Sequence, residues 1–318
     1  MKKVLILTDG KAGHENQSKA FSRALGTSYD LFAISFKSGA KPFSYLFDNI
    51  GIKALSLFNI SSELSSAIKS KEYSAVIGTG SGTFYAAKTI AKKMNIPCGV
   101  VLFPRGYRIS DFNCIFAPVF DSPPQKDNIV TIPVNLVATD KSYYDEGEKA
   151  FRLRHDFSDA YIVSVIVGGP NKCSTMSASW MKEQLEKVFA ENRKIAEEKG
   201  MAIEFWVTTS RRTPADVEDV VDSFPFNYKL LFSKEKFNPI PAFVKLSNRI
   251  YVTAESTGML SEVCTFGDAE IFALDNLNQG NHKFRKFINH LADKKMIGSS
   301  VKVDLSKQID EARRLLKI

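Results

Sequence analysis

The segment Tyr161–Val167 (YIVSVIV) is interrupted only by Ser164 and runs straight into Gly168-Gly169-Pro170. A strand that is apolar on both faces belongs in a parallel sheet covered by helices on two sides. Similar runs recur at 4–8, 31–36, 75–78, 99–103, 114–119 and 129–132, and again at 203–208, 228–232, 249–252 and 270–273. Amphipathic helical patterns alternate with them, at about 15–25, 83–94, 177–199, 242–246, 257–266, 282–291 and 306–316. Alternation of this kind gives a doubly wound α/β sheet.

The chain has 318 residues, which suggests two domains. Its 44% hydrophobic and 25% charged content is that of a globular protein with a large core. Between 138 and 159 the sequence turns polar and poor in aliphatics, and then the strand–helix pattern restarts. The expected domains are therefore 1–150 and 151–318, with the last helix free to pack back on the first.

The formal charge of +8 is spread along the chain without a basic tail, so no nucleic-acid partner is expected. A basic surface also suits phosphorylated small molecules or peripheral contact with an anionic membrane. Cys98, Cys114, Cys173 and Cys264 form no C-x-x-C pair and read as reduced thiols of a cytoplasmic protein, with no metal site expected. The apolar run at 4–7 is too short for a secretory segment, and no run reaches the roughly 20 residues of a membrane span.

In an open parallel sheet, ligands bind beyond the carboxyl ends of the strands. The first such loop is Asp9-Gly10-Lys11-Ala12-Gly13-His14-Glu15-Asn16-Gln17. His14 is the candidate general base toward an acceptor hydroxyl, oriented by Asp9 or Glu15. Lys11 and Asn16 stand on the same acceptor side. In Gly78-Thr79-Gly80-Ser81-Gly82-Thr83, Gly80, Ser81 and Thr83 are read as lining an anion or sugar site. The alternative is tight strand-to-helix packing, because the loop has neither the dinucleotide spacing nor a P-loop lysine.

In the second half, amides of Gly168 and Gly169 would meet a diphosphate, with Lys172 adding charge. Arg211 and Arg212 follow another strand, where forked donors suit phosphate. Thr213 is read as the N-cap of the next helix, with Pro214 its first residue. Ser256, Thr257 and Gly258 open a helix whose N-terminus suits a diphosphate. Glu262 lies one turn on, on the face of Gly258, placed to accept both ribose hydroxyls. Gln279, Asn281, His282, Lys283 and Arg285 form a last polar cluster, either reaching the sugar and phosphate or simply solvating a helix start.

In order along nearly the whole chain, DGKAGHENQS (9–18), GTGSGT (78–83), Gly168-Gly169-Pro170, TTSRRTP (208–214), VTAESTGMLSE (252–262) and the 282–285 cluster resemble the mitochondrial-fission ELM family of bacteria and plants. Members of that family are read as glycosyltransferases. The resemblance implies an α/β fold of GT-B type, two Rossmann-like doubly wound domains facing a central cleft. It puts a nucleotide-sugar donor on the C-terminal domain and an acceptor on the N-terminal one. It also implies no bound metal or cofactor, since helix N-termini and basic residues stabilise the leaving diphosphate; no D-x-D motif stands at a first-domain strand end. The helix bearing Glu262 is more distantly similar to the donor-binding helix of the peptidoglycan N-acetylglucosaminyltransferase, which implies the ribose role for Glu262 and an acceptor-side role for His14.

The expected function is glycosyl transfer from a nucleotide-sugar to an acceptor hydroxyl on a glycan or lipid-linked acceptor of the cell envelope. Two alternatives stand beside it. One is a nucleotide-binding scaffold of the same fold without turnover. The other is a sugar-nucleotide 2-epimerase, for which Asp9, Glu15 and Glu255 would supply acid/base carboxylates.

Overall fold

The computed structural model describes residues 1–157 and 159–318. The chain forms two compact units, Met1–Ala138 with Asp304–Ile318, and Thr139–Val303.

The first unit contains β1 (Lys3–Thr8), α1 (Ala12–Leu25), β2 (Ser28–Ala33), β3 (Ser35–Phe36), α2 (Lys41–Asn49), β4 (Phe58–Asn59), α3 (Ser62–Lys69), β5 (Tyr73–Thr79), α4 (Phe84–Met94), β6 (Cys98–Val101), β7 (Cys114–Pro118) and β8 (Ile129–Ile132). Its main sheet has the order β2-β1-β5-β6-β7-β8, with every pair parallel. β3 and β4 form a separate antiparallel pair. Successive residues of a strand face opposite sides of the sheet, so each central strand feeds two cores. Val4, Ile6 and Ile77 pack with Phe21 on one side; Leu5, Leu7 and Val76 pack with Tyr85 and Ile90 on the other.

The second unit contains α5 (Lys141–Arg152), β9 (Tyr161–Val167), α6 (Ala178–Lys199), β10 (Ile203–Thr209), α7 (Ala215–Ser223), β11 (Tyr228–Leu230), α8 (Ile240–Leu246), β12 (Arg249–Thr253), α9 (Thr257–Phe266), β13 (Glu270–Leu274) and α10 (Lys283–Asp293). Its sheet is parallel in the order β11-β10-β9-β12-β13. All seven residues of β9, the central strand, are buried. Ser164, its one polar interruption, is matched by a hydrogen bond to Ser247 (2.6 Å). The last helix, α11 (Ser306–Leu316), belongs to the first unit, where Leu316 is fully buried and closes over Gly99.

The units divide at 138/139, twelve residues before the expected boundary, and residues 304–318 fall outside the second unit. The polar stretch was misleading because α5 lies within it. Asp140 caps that helix through the Tyr143 amide, and its buried face consists of two aromatics, Tyr144 and Phe151, instead of aliphatics. Phe151 packs against Tyr228 and Trp206 at ring separations of 4.6 and 4.9 Å. Ser158, in the same stretch, lies outside the described residues.

Two helices, α2 and α3, lie outside the expected helical patterns, being only nine and eight residues long. Thr213 does not cap α7; Pro214 is the residue before it, and the Thr213 hydroxyl serves another strand end. All four cysteines are free thiols, and burial pushes those of Cys114 and Cys264 up to about 12. Among the described residues no helix is long and apolar enough to cross a membrane.

Candidate functional site

β1 and β5 are neighbours at the centre of the first sheet, so the loops after them emerge side by side. α1 begins at Ala12, three residues earlier than the sequence suggests, which puts His14 and Glu15 in its first turn. His14 Nδ1 lies 3.0 Å from both Asp9 carboxylate oxygens. A carboxylate only accepts, so Nδ1 carries the proton and donates. Nε2 is thereby the basic nitrogen, and it has no hydrogen-bond partner among the described residues. The Asp9 side chain is 10% exposed and that of His14 25%: the orienting group is sheltered and the ring can be reached. Glu15 is turned away, paired with Lys19 (2.6 Å) and accepting from Thr8 (3.3 Å); the Lys19 contact holds its carboxyl below the usual range. Of the two orienting groups considered, Asp9 has the geometry.

The GTGSGT loop is the seat of this pair. Gly80 has φ +84°, and a Cβ there would overlap the His14 ring; a Cβ on Gly82 would overlap Asp9. Thr83 is fully buried, its hydroxyl donating to the Thr79 and Gly80 carbonyls, so it shapes the turn and is not offered to a ligand. Ser81 is half-buried and accepts from Lys41 (3.0 Å). Gln17 and Ser18 hold α1 in place: the Gln17 amide makes both of its bonds to the Leu136 backbone, and Ser18 meets Thr79 at 2.7 Å. Lys11 and Asn16 are exposed, Lys11 at 3.6 Å from Asp9. A cavity of about 480 Å³ opens beside Asp9 and Gly10, walled by Ile34, Asn59 and Ile60.

In the second unit the loops after β9 and β12 are tied together by a residue considered only for the epimerase alternative. Glu255 is 2% exposed; its Oε1 accepts from the Gly169 amide (2.7 Å) and Thr253 (3.0 Å), while Oε2 has no partner among the described residues. The Gly168 amide donates to Thr253 (2.8 Å). A Cβ at Gly168 would overlap Glu255, and one at Gly169 would overlap the Arg212 carbonyl. Thr213 donates to the Gly168 carbonyl (2.5 Å), and Arg212 donates to that of Gly169 (3.1 Å). The Gly168 and Gly169 amides are thus committed to the protein itself. Arg211 and Lys172 are exposed.

Ser256 precedes α9 without capping it through its side chain, and Gly258 has open space around it. Thr257 and Gly258 therefore present an N-terminus whose first amides lack side-chain acceptors, a ready anion seat. Glu262 is half-buried one turn further on, and Tyr144 donates to its Oε1 (2.9 Å). Burial raises the Glu262 pKa against the lowering effect of the Tyr144 bond.

The 276–285 cluster closes on itself. His282 caps α10, accepting the Arg285 amide at Nδ1 and donating from Nε2 to the Asn278 carbonyl. Arg285 pairs with Asp275 (2.5 Å). Gln279 remains exposed. Asn276, at the start of this cluster, is 5% exposed with neither side-chain amide atom partnered among the described residues, and lines a cavity of about 240 Å³ with Ser177 and Trp180. Tyr144 carries no sequence signal, because a partner far along the chain, Glu262, gives it its meaning. Glu255 carried one: a carboxylate directly after a strand of a parallel sheet.

Two parallel sheets, with polar loops gathered at the carboxyl ends of their strands, define a protein of the GT-B fold class. The chain belongs to the mitochondrial fission ELM1 family, which it matches over residues 12–314. It is similar to the UDP-GlcNAc 2-epimerase from Neisseria meningitidis bound to UDP-GlcNAc, at 14% identity and a TM-score of 0.50 over 100% of each chain. It also matches E. coli ADP-heptose LPS heptosyltransferase II, at 11% identity and a TM-score of 0.46 over 100% of each chain. A comparison with curated protein sequences finds no match.

Gly80→Ala tests the seat. An alanine at this φ costs about 1–3 kcal/mol and must displace the imidazole. Chemical denaturation is expected to show that loss, with the His14 ring resonances shifted in an NMR spectrum. Unchanged His14 resonances in a folded variant would show that the loop does not position the ring.

Proposed function

We propose that the protein transfers a sugar from a nucleotide-sugar to an acceptor hydroxyl, with the donor on the second unit and the acceptor on the first. The observation that carries this reading is the Asp9-held His14, its basic Nε2 unpartnered, at the mouth of the first sheet beside a cavity of about 480 Å³. His14 Nε2 takes the proton of the acceptor hydroxyl. The oxygen attacks the anomeric carbon, the bond from that carbon to the diphosphate breaks, and its electron pair leaves with the nucleoside diphosphate. The imidazolium that forms is stabilised by Asp9.

Charge on the leaving diphosphate falls to the Thr257 and Gly258 amides of α9, to Arg211, Arg212 and Lys172, and to the dipole of that helix, without need of a metal ion. Ser256 and Gln279 border this donor site. Glu262 accepts the ribose hydroxyls, its rotamer fixed by Tyr144. One relative supports the donor class: the Neisseria epimerase is bound to UDP-GlcNAc. A glycan or lipid-linked hydroxyl is the acceptor class.

The 2-epimerase alternative needs carboxylates free to move a proton. Asp9 is bound by His14, Glu15 by Lys19, and one Glu255 oxygen by Gly169 and Thr253. These commitments favour transfer.

The donor is found first by thermal shift with UDP-, GDP-, ADP-, TDP- and CMP-sugars, since a ligand of the native state raises apparent stability. No shift with any of them would favour a scaffold without a nucleotide site. With the donor in hand, Asp9→Asn should lower the rate of nucleotide release by about 10²–10⁴-fold, the usual share of a positioned acid/base, while nucleotide affinity stays the same. An unchanged rate would remove the pair from the chemistry.

Glu262→Gln is expected to weaken the ribonucleotide and leave its 2′,3′-dideoxy analogue unaffected. Ribonucleotide affinity of the native protein should also fall as pH drops through the raised Glu262 pKa, because the protonated carboxyl is the poorer acceptor, whereas the variant should be flat over that range. Equal loss for both ligands would make Glu262 a shaping residue only.

A further inference from the structure

α2 turns part of its apolar surface outward. Its fully buried residues are polar, Ser44 and Asp48, one turn apart on one face, with Tyr45 and Phe47 half-buried against the core beside them. Phe43, Leu46 and Ile50, the last directly after the helix, are 52%, 55% and 63% exposed, and Ile52 beyond them is 44% exposed. An amphipathic helix normally buries its apolar stripe, so this orientation has to be enforced from beneath. Ser44 meets the Tyr107 hydroxyl (3.0 Å). Asp48 takes Lys88 (2.5 Å), Lys53 (3.2 Å) and the Arg108 amide (2.7 Å), and the Lys88 side chain is itself fully buried. A buried ion pair left with one partner is strongly unfavourable, so α2 cannot roll over to hide its leucine and isoleucine without stranding Lys88.

Where α2 ends, a cavity of about 300 Å³ opens at Gly51, between Ile50 and Ile52, lined by Lys53, Lys88, Lys92 and Arg108. Two carboxylates, Asp48 and Asp111, face these four cations. Lys88 and Lys53 are neutralised by them at close range, whereas Arg108, 44% exposed and packed against Gly51, reaches Asp111 only at 3.9 Å. Lys92 is exposed. Cys98, which also lines the cavity, is the first residue of β6, so the cavity lies at the amino end of the sheet, opposite the edge that carries His14. At the other end of α2, Lys37 and Lys41 are exposed. The apolar face is thus flanked by cations at both ends; at its start Lys41 also reaches Ser81 of the GTGSGT loop.

We infer that α2 and the cationic cavity at its end form a docking face for an anionic phospholipid bilayer. Phe43, Leu46, Ile50 and Ile52 enter the boundary between headgroups and acyl chains, and Arg108 with Lys92 receives a lipid phosphate. Apolar insertion combined with electrostatic attraction is the usual basis of interfacial binding. The charge settles the choice of occupant: a second copy of this chain would bring the same cations against this face.

The inference does not depend on the transfer reaction and is tested without a donor. The full chain is sedimented with vesicles of phosphatidylcholine mixed with phosphatidylglycerol, and with vesicles of phosphatidylcholine alone. Binding is expected to the mixed vesicles and to weaken with salt. Leu46→Glu with Ile50→Glu should reduce it at least tenfold, on the order expected for losing two buried apolar anchors. Arg108→Gln should reduce it about fivefold, the usual share of one cation near a charged surface. In a separate Leu46→Trp variant, tryptophan emission should move to shorter wavelength on adding mixed vesicles, which keeps the test open should the double variant fail to fold. Equal binding to neutral vesicles, no emission change, or a native dimer that the glutamates convert to a monomer while vesicle binding is absent would each overturn the inference.

Discussion

One contact organises the first unit's functional edge, the bidentate approach of His14 Nδ1 to Asp9. It exists because two strands that are neighbours in the sheet, β1 and β5, release their loops at the same place. The β1 loop supplies both partners and the β5 loop supplies the floor. Only residues without a Cβ fit beneath the ring and the carboxylate, which is why Gly80 and Gly82 stand there. Locking one ring nitrogen to a carboxylate fixes the tautomer and leaves the other basic, with no partner among the described residues. The remaining features of this edge, the Gln17 tie to Leu136 and the Ser18–Thr79 bond, hold α1 where that contact is made.

The second unit uses the same device with different chemistry. Glu255 occupies the converging strand ends and satisfies the Gly169 amide and the Thr253 hydroxyl, and Thr213 and Arg212 reach across to the carbonyls of the same glycines. Loops tied this way are preorganised, so binding does not have to order them. What each unit leaves uncommitted is then informative: His14 Nε2 in one, and the α9 N-terminus, the second Glu255 oxygen and the Asn276 amide in the other. Buried polar atoms without partners are rare enough in folded proteins to need a reason.

Strands were the legible part of the fold. β8 and β9 fall on the residues the apolar runs mark, and α9 and α11 on those marked by the helical period, because burial on two faces or on one stripe leaves a direct imprint in composition. α5 was illegible for the same reason: its buried face is aromatic and sparse, and its other residues are charged. α2 was illegible because it is only nine residues long and its apolar residues point both ways, Phe43 and Leu46 outward and Tyr45 and Phe47 toward the core. In the site, the residue types were legible but some roles were not. DGKAGH announced a histidine with a carboxylate nearby; the choice of Asp9 over Glu15 depended on where α1 begins. In GTGSGT, Gly80 and Gly82 make room for His14 and Asp9, and Thr213, read as a helix cap, serves the Gly168 carbonyl; both roles are set by partners distant in sequence.

Transfer by His14 requires the proton on Nδ1, and nitrogen-15 NMR of histidine-labelled protein with the ring neutral measures its position directly. His14 is expected as the Nδ1–H tautomer, with a downfield Nδ1 proton that is lost in Asp9→Asn, and an unprotonated Nε2 that responds to an acceptor analogue. A His14 protonated at Nε2, with Nδ1 bare in the native protein, would contradict it.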